Sequence, residues 1–144
     1  MTWLNRYADA IYGIVRLVIG LMFACHGGQK ILGFPPDGRG LATNALGLTA
    51  GWIELAGGFL IAFGLLTRIA AFFASGEMAV AYFMTSFSGT TLDHSPTAME
   101  RFFPIVNKGE LPVVFCFVFF FIIFYGGGRW SIDALISETM RRTN

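Results

Sequence analysis

Charge is scarce in this chain. Lys, Arg, Asp and Glu make up 13% of its 144 residues, about half the share usual in soluble domains. Cysteine is nearly absent. Two residues, Cys25 and Cys116, are too few for a disulfide framework or a four-thiolate metal site. The two histidines, His26 and His94, have no ligand-like spacing. One falls in an apolar stretch and the other in a loop, so neither metal nor haem ligation is expected. No Gly-rich turn follows a strand pattern and opens a helix, so NAD or FAD has no fingerprint to bind. Gly126-Gly127-Gly128 closes an apolar run instead. There is no alternating ten-residue pattern of the barrel kind. A net charge of +1 gives no electrostatic basis for nucleic-acid binding.

Apolar residues are what the chain has in abundance. They make up 55%, with 16 phenylalanines, and the mean hydropathy is +0.63. A soluble domain of this size cannot bury so much apolar surface, which points to the bilayer as solvent. Four stretches stand out: Ile11–Cys25 with Arg16, Leu46–Leu66 with Glu54, Ile69–Phe87 with Glu77, and Leu111–Gly128 with no charge. Roughly 20 apolar residues span the hydrocarbon core as a helix, and only helices satisfy their backbone within one segment there. The chain therefore reads as all-α, a single integral-membrane four-helix bundle. Its spans are expected at about 10–32, 45–66, 68–88 and 110–128.

Gly33 to Gly40, with Pro35 and Pro36, reads as a loop, and Thr67-Arg68 as a tight hairpin. Ser88 to Lys108 is either a long functional loop or a short interfacial helix carrying Phe102-Phe103. Four spans put both ends on one side, with Arg6, Arg68, Arg129, Arg141 and Arg142, and with Arg16 nearby. Lys30, Arg39, Arg101 and Lys108 fall on the other. That bias favours cytoplasmic termini, with Trp3, Tyr7 and Trp130 at the interface. Beyond Trp130, Ile132, Leu135, Ile136 and Met140 share one helical face, the pattern of a C-terminal amphipathic helix lying on the membrane.

Four motifs recur in order: Arg16-x3-Gly20-x2-Phe23-x2-His26-Gly27-x2-Lys30; Glu54-x2-Gly57-Gly58-x5-Gly64-Leu65-x-Thr67-Arg68; Asn107-x-Gly109-Glu110; and Gly126-x-Gly128-Arg129-Trp130-Ser131-Ile132-Asp133. With them, residues 8 to 136 resemble the DoxX family of small four-helix membrane proteins. The resemblance implies a multi-pass protein of a bacterial cytoplasmic membrane, working in a quinone- or thiol-linked redox system with a soluble or membrane partner. It implies no agreed catalytic triad or metal, so these positions transfer only as family-typical residues. Quinone is the one cofactor suggested, and none is firmly implied.

The residues themselves add a chemistry. Ionisable groups within a span face the bundle interior and usually find partners. Arg16, Gly20, Phe23, Gly27 and Lys30 share a face of the first helix, and Gly51, Glu54 and Gly58 a face of the second. Gly20, Gly27, Gly51 and Gly58 are the expected helix-packing notches. Depth estimates at about 1.5 Å per residue let Arg16 reach Glu54 or Glu77, and His26 or Lys30 reach Glu54. Two readings stay open. Arg16, His26, Lys30, Glu54, Glu77 and Glu110 either form ion pairs that fix helix register, or line a polar pocket where Glu54 and His26 handle protons beside a quinone head group. Asn107 and Glu110 are spaced as a capping box, with Pro112 suited to a first turn; Glu110 alternatively lines the pocket. The Phe115–Phe124 run lines a quinone tail or faces lipid. The cysteines are expected to be reduced and structural.

Three functions fit. The first is a membrane component of a redox system, an enzyme subunit or its partner. The second is a non-catalytic membrane scaffold or assembly chaperone. The third, a small-solute channel, is disfavoured because four Gly-packed helices leave little lumen. Self-association is left open.

Overall fold

A computed structural model describes residues 2–36, 38 and 40–143. Arg39, assigned above to the side opposite the termini, lies outside the described residues, as does Asp37. The described residues fold into six α-helices: α1 Ala8–Leu32, α2 Ala45–Phe63, α3 Thr67–Ala81, α4 Ala98–Phe102, α5 Glu110–Tyr125 and α6 Ile132–Thr143. A 3₁₀ turn, Thr2–Tyr7, leads into α1, and a π-helical segment, Tyr82–Phe87, prolongs α3. No strand occurs among the described residues.

The helices end where glycine permits a left-handed turn. Gly33 at φ +67° closes α1 and Gly64 at φ +71° closes α2. α5 stops at Tyr125 because Gly126 adopts φ +82°. α2 and α5 are accordingly each three residues shorter than the spans the sequence pattern suggests. The turn between α2 and α3 falls on residues 64–66, and Thr67-Arg68 open the next helix rather than forming the hairpin. α5, at 16 residues, is about 24 Å long, while among the described residues three helical segments are long and apolar enough to cross a bilayer.

Packing follows the glycines. α1 crosses α2 with backbone against backbone: a Cβ on Gly20 would lie 2.5 Å from Ala62 N, and one on Gly27 2.2 Å from Leu55 N. Gly58 answers from α2, where a Cβ would lie 2.5 Å from Ala24 N. α3 packs on α5 and on α2. Phe23 of α1 reaches α5 between Phe115 and Phe119, with ring centroids 5.6 and 4.7 Å away, and closes the ring of four helices. Phe23, Ile61, Ala71, Ala74, Phe119 and Ile122 form the core. Of the Phe115–Phe124 run, Phe115 and Phe119 are therefore core, while Phe117, Phe120, Phe121 and Phe124 point outward.

The long loop holds a short helix after all. Thr97 and Glu100 make the capping box of α4. Hydrogen bonds from the Thr97 backbone and hydroxyl, with His94 3.2 Å away, hold the Glu100 carboxyl down to about 2. The box predicted at Asn107 and Glu110 does not form. Gly109 caps α5, so Pro112 sits in the first turn. The Asn107 side chain is fully buried and accepts from Gly109 N (2.9 Å) while donating to Arg101 O (2.6 Å), pinning the loop.

Candidate functional site

At the end of the bundle that carries both termini, Arg16 is 2% exposed. It was expected to reach Glu54 or Glu77 and does neither. The glycine crossings set the register and place Ile61 and Ala62 beside it, with Glu54 seven or eight residues further along α2, roughly 11 Å away. Arg16 instead donates to the carbonyls of Ile61, Ala62 (2.8 Å) and Trp130 (2.6 Å). A planar guanidinium with five donors suits this fan of acceptors, and the α2 C-terminus carries partial negative charge. Arg68 does the same for α5, donating to Ile123 O (2.7 Å) and Phe124 O (2.9 Å). Asp133 completes the knot by accepting from Leu66 N (2.8 Å), Thr67 N (3.0 Å) and Thr67 Oγ1 (2.7 Å), a cap for α3 supplied from α6. Burial raises the Asp133 carboxyl, but these hydrogen bonds outweigh it and hold the group below its ordinary value. The motifs around Gly64 to Arg68 and Gly126 to Asp133 thus tie the chain ends to the bundle. The open cavity beside them, about 590 Å³, has Leu66, Thr67 and Asp133, already bonded to one another, among its walls.

The opposite end is built differently. Lys30 leaves α1 near its last turn, and its stem crosses α2 at Gly51, where a Cβ would lie 3.0 Å from Lys30 Cβ. The ammonium then meets Glu54 Oε1 at 2.7 Å. Glu54 is 2% exposed and Lys30 is half-buried. Glu77, one helix over, faces the same space. Lys30 and Glu77 line a cavity of about 490 Å³ between α2 and α3, with Asn44, Thr49, Phe73 and Met84 among its other walls. Among the described residues, Glu54 Oε2 and Glu77 Oε2 have no hydrogen-bond partner. The cavity opens sideways past exposed Leu46, Phe72 and Met84.

Of the predicted pocket residues, the structure therefore groups Lys30, Glu54 and Glu77. His26 does not line the cavity, and its ring lies edge-on to Phe115 at 6.1 Å. Glu110 is exposed at the start of α5 and does not line the cavity. Residues not anticipated are Asn44, which caps α2 through Gly47 N (2.6 Å), and Thr49 and Gly76 on the cavity wall. Asn44 before an apolar run carries the capping signal; nothing local marks the other two. Both cysteines are free. Cys25 is exposed and Cys116 Sγ lies 3.7 Å from Ser75 Oγ. No group of three His, Cys, Asp or Glu side chains is assembled for a metal among the described residues.

The outward-facing side chains decide the class. Ile69, Phe72, Phe73, Phe117 and Phe124 are all more than half exposed around a core of small and apolar residues. Surface of that composition on helices of this length belongs to a multi-pass helical membrane protein. The DoxX family model matches residues 12–86, which run from α1 through the π segment. An uncharacterized protein of Haemophilus influenzae is 37% identical over 136 residues, covering 92% of this chain and 96% of its own. An uncharacterized membrane protein of Mycobacterium tuberculosis is 28% identical over 133 residues, covering 86% and 80% respectively. No solved structure matches. The chain belongs to the DoxX family.

Proposed function

We propose that this protein is the membrane component of a quinone-linked redox system and that a quinone head group enters the Lys30–Glu77 cavity from the bilayer. The observation that carries this reading is half-buried Glu77, whose Oε2 lacks a partner among the described residues, on the wall of a lateral cavity with Lys30, whose ammonium is held from behind by buried Glu54. Its volume falls within the range of about 300–1,000 Å³ typical of small-molecule sites. A quinone bound there takes up two electrons and two protons on conversion to the quinol. In this reading Lys30 Nζ donates a hydrogen bond to a ring carbonyl oxygen, and Glu54 and Glu77 hold and pass protons at their free Oε2 atoms. Electrons come from a redox partner, because the chain has no dinucleotide fingerprint of its own.

The orientation that suits this reading has both termini cytoplasmic, in a bacterial inner membrane, with the cavity toward the outer leaflet. The site then lies between the second and third helices rather than between the first and second, as the sequence motifs suggest. Photo-crosslinking with a tailless benzoquinone in detergent tests the reading. Label on α2 or α3, lowered by Glu77→Gln, is the expected result. Label confined to residues after Trp130 overturns it, and no label at all leaves the non-catalytic scaffold or assembly chaperone as the function.

A further inference from the structure

Gly57 and Gly58 are neighbours in one motif and behave oppositely. Gly58 cannot carry a side chain, because α1 is in the way. Gly57 has nothing within 4 Å of where its Cβ would be, and it sits in a regular helix that needs no glycine. Gly76 on α3 is the same: nothing lies within 4 Å, and its backbone is helical. A glycine in a helix interior is unfavourable relative to alanine. Neither packing nor backbone geometry accounts for these two.

Both line empty space. Gly76 borders the polar cavity with Lys30 and Glu77. Gly57 borders a second cavity of about 300 Å³, walled by Trp52, Leu60, Leu66 and Ala70 and almost entirely apolar. Ile53 and Phe73 are walls of both cavities, so the two abut along the α2–α3 seam. From Met84 to Ile69 the combined groove runs roughly 22 Å down α3, most of the hydrocarbon thickness. Polar groups stand at one end only.

We infer that this seam is a tail channel: the isoprenoid tail of the quinone lies along it past Gly57, with the head at Lys30 and Glu77. The inference rests on the head-group reading above. An apolar groove in a bilayer is always filled by some chain. The chain tethered to a bound head holds the advantage of proximity over free lipid. That advantage is modest, since the tail gains only packing contacts on leaving lipid.

The test compares two quinones on the full-length protein in nanodiscs, one tailless and one with a long isoprenoid tail. The long-tailed quinone is expected to bind about three- to tenfold more tightly. Gly57→Leu fills the groove without a backbone clash. It is expected to erase that preference and leave tailless binding within about twofold, where Gly57→Ala has an intermediate effect. If the tailless quinone binds and the long tail adds nothing, or Gly57→Leu leaves the preference intact, the tail channel is overturned and the head site stands. If long-tailed binding depends on Gly57 while Lys30→Gln and Glu77→Gln change neither quinone, the head site falls and the channel stands. If neither quinone binds, both fall.

Discussion

The two ends of the bundle bury polar groups to the same depth and treat them in opposite ways. Arg16 and Glu54 are each 2% exposed. Arg16 spends its donors on three carbonyls from two segments, leaving only Nε without a partner. Among the described residues, Glu54 makes one side-chain bond, to Lys30, and keeps an oxygen without a partner, as does Glu77. Burial alone therefore says little about purpose in a membrane protein. What distinguishes the ends is satisfaction. A fully bonded charge holds elements together, whereas an unsatisfied one beside a cavity is available to something else.

That contrast is open to direct attack. Arg16→Leu removes the guanidinium that three carbonyls share and is expected to cost about 3–5 kcal/mol, read as a large fall in Tm in detergent. Arg16→Lys rescues only part, since an ammonium lacks the planar fork. Wild-type melting of Arg16→Leu would end the structural assignment. Asp133→Ala removes the cap of α3 and is expected to cost about 1–2 kcal/mol. Because the Asp133 carboxyl sits below its ordinary value when folded, its contribution is complete above about pH 4. It is lost as the pH falls through the depressed folded value. Acid melting curves should show this step in the wild type and not in Asp133→Asn.

At the other end the stability effects shrink and the binding effects grow. Glu54→Gln keeps a hydrogen bond to Lys30, whose half-exposed ammonium can turn to water, so a loss of about 1 kcal/mol is expected. Glu138→Gln on exposed α6 should cost less still. Glu77→Gln removes a carboxylate that lacks a partner at Oε2, so its Tm should hold or rise while quinone labelling falls. A Tm loss as large as that of Arg16→Leu would mean that Glu77 builds the fold. Smallest of all, Cys25→Ser and Cys116→Ser should shift stability by no more than about 0.5 kcal/mol and leave redox activity intact. Loss of activity without loss of stability in either would favour thiol chemistry over quinone chemistry.

The helices and their closest crossings were legible because glycine leaves a direct trace: Gly20, Gly27 and Gly58 sit at spacings that share a face, and backbone contact needs nothing more. Lys30 and Glu54 were legible for the same reason, lying on those faces. Arg16 was misread because depth along separate helices does not fix their relative register. The Gly20 and Gly27 crossings do, and they place Arg16 beside the end of α2. Asp133 capping Thr67 joins residues 66 positions apart, a pairing no local pattern carries. The α2–α3 cavity was hidden because it is made of what is missing at Gly57 and Gly76, and an open notch reads in sequence like a packed one.

The knot also bears on how the protein is made. Trp130 and Asp133, which bond Arg16 and Thr67, emerge from the ribosome after all four long helices. α1 and α2 can pair as soon as both have entered the bilayer, since their contact needs only their own backbones. The end of α2 is closed by Gly64 and Arg16 of α1, but the first amides of α3 stay uncapped until Asp133 arrives. Chains halted before Trp130 should therefore insert but remain loose at the start of α3, exposing its amides to membrane proteases. Arrival of residues 130–133 and closure of that end of the bundle become a single event.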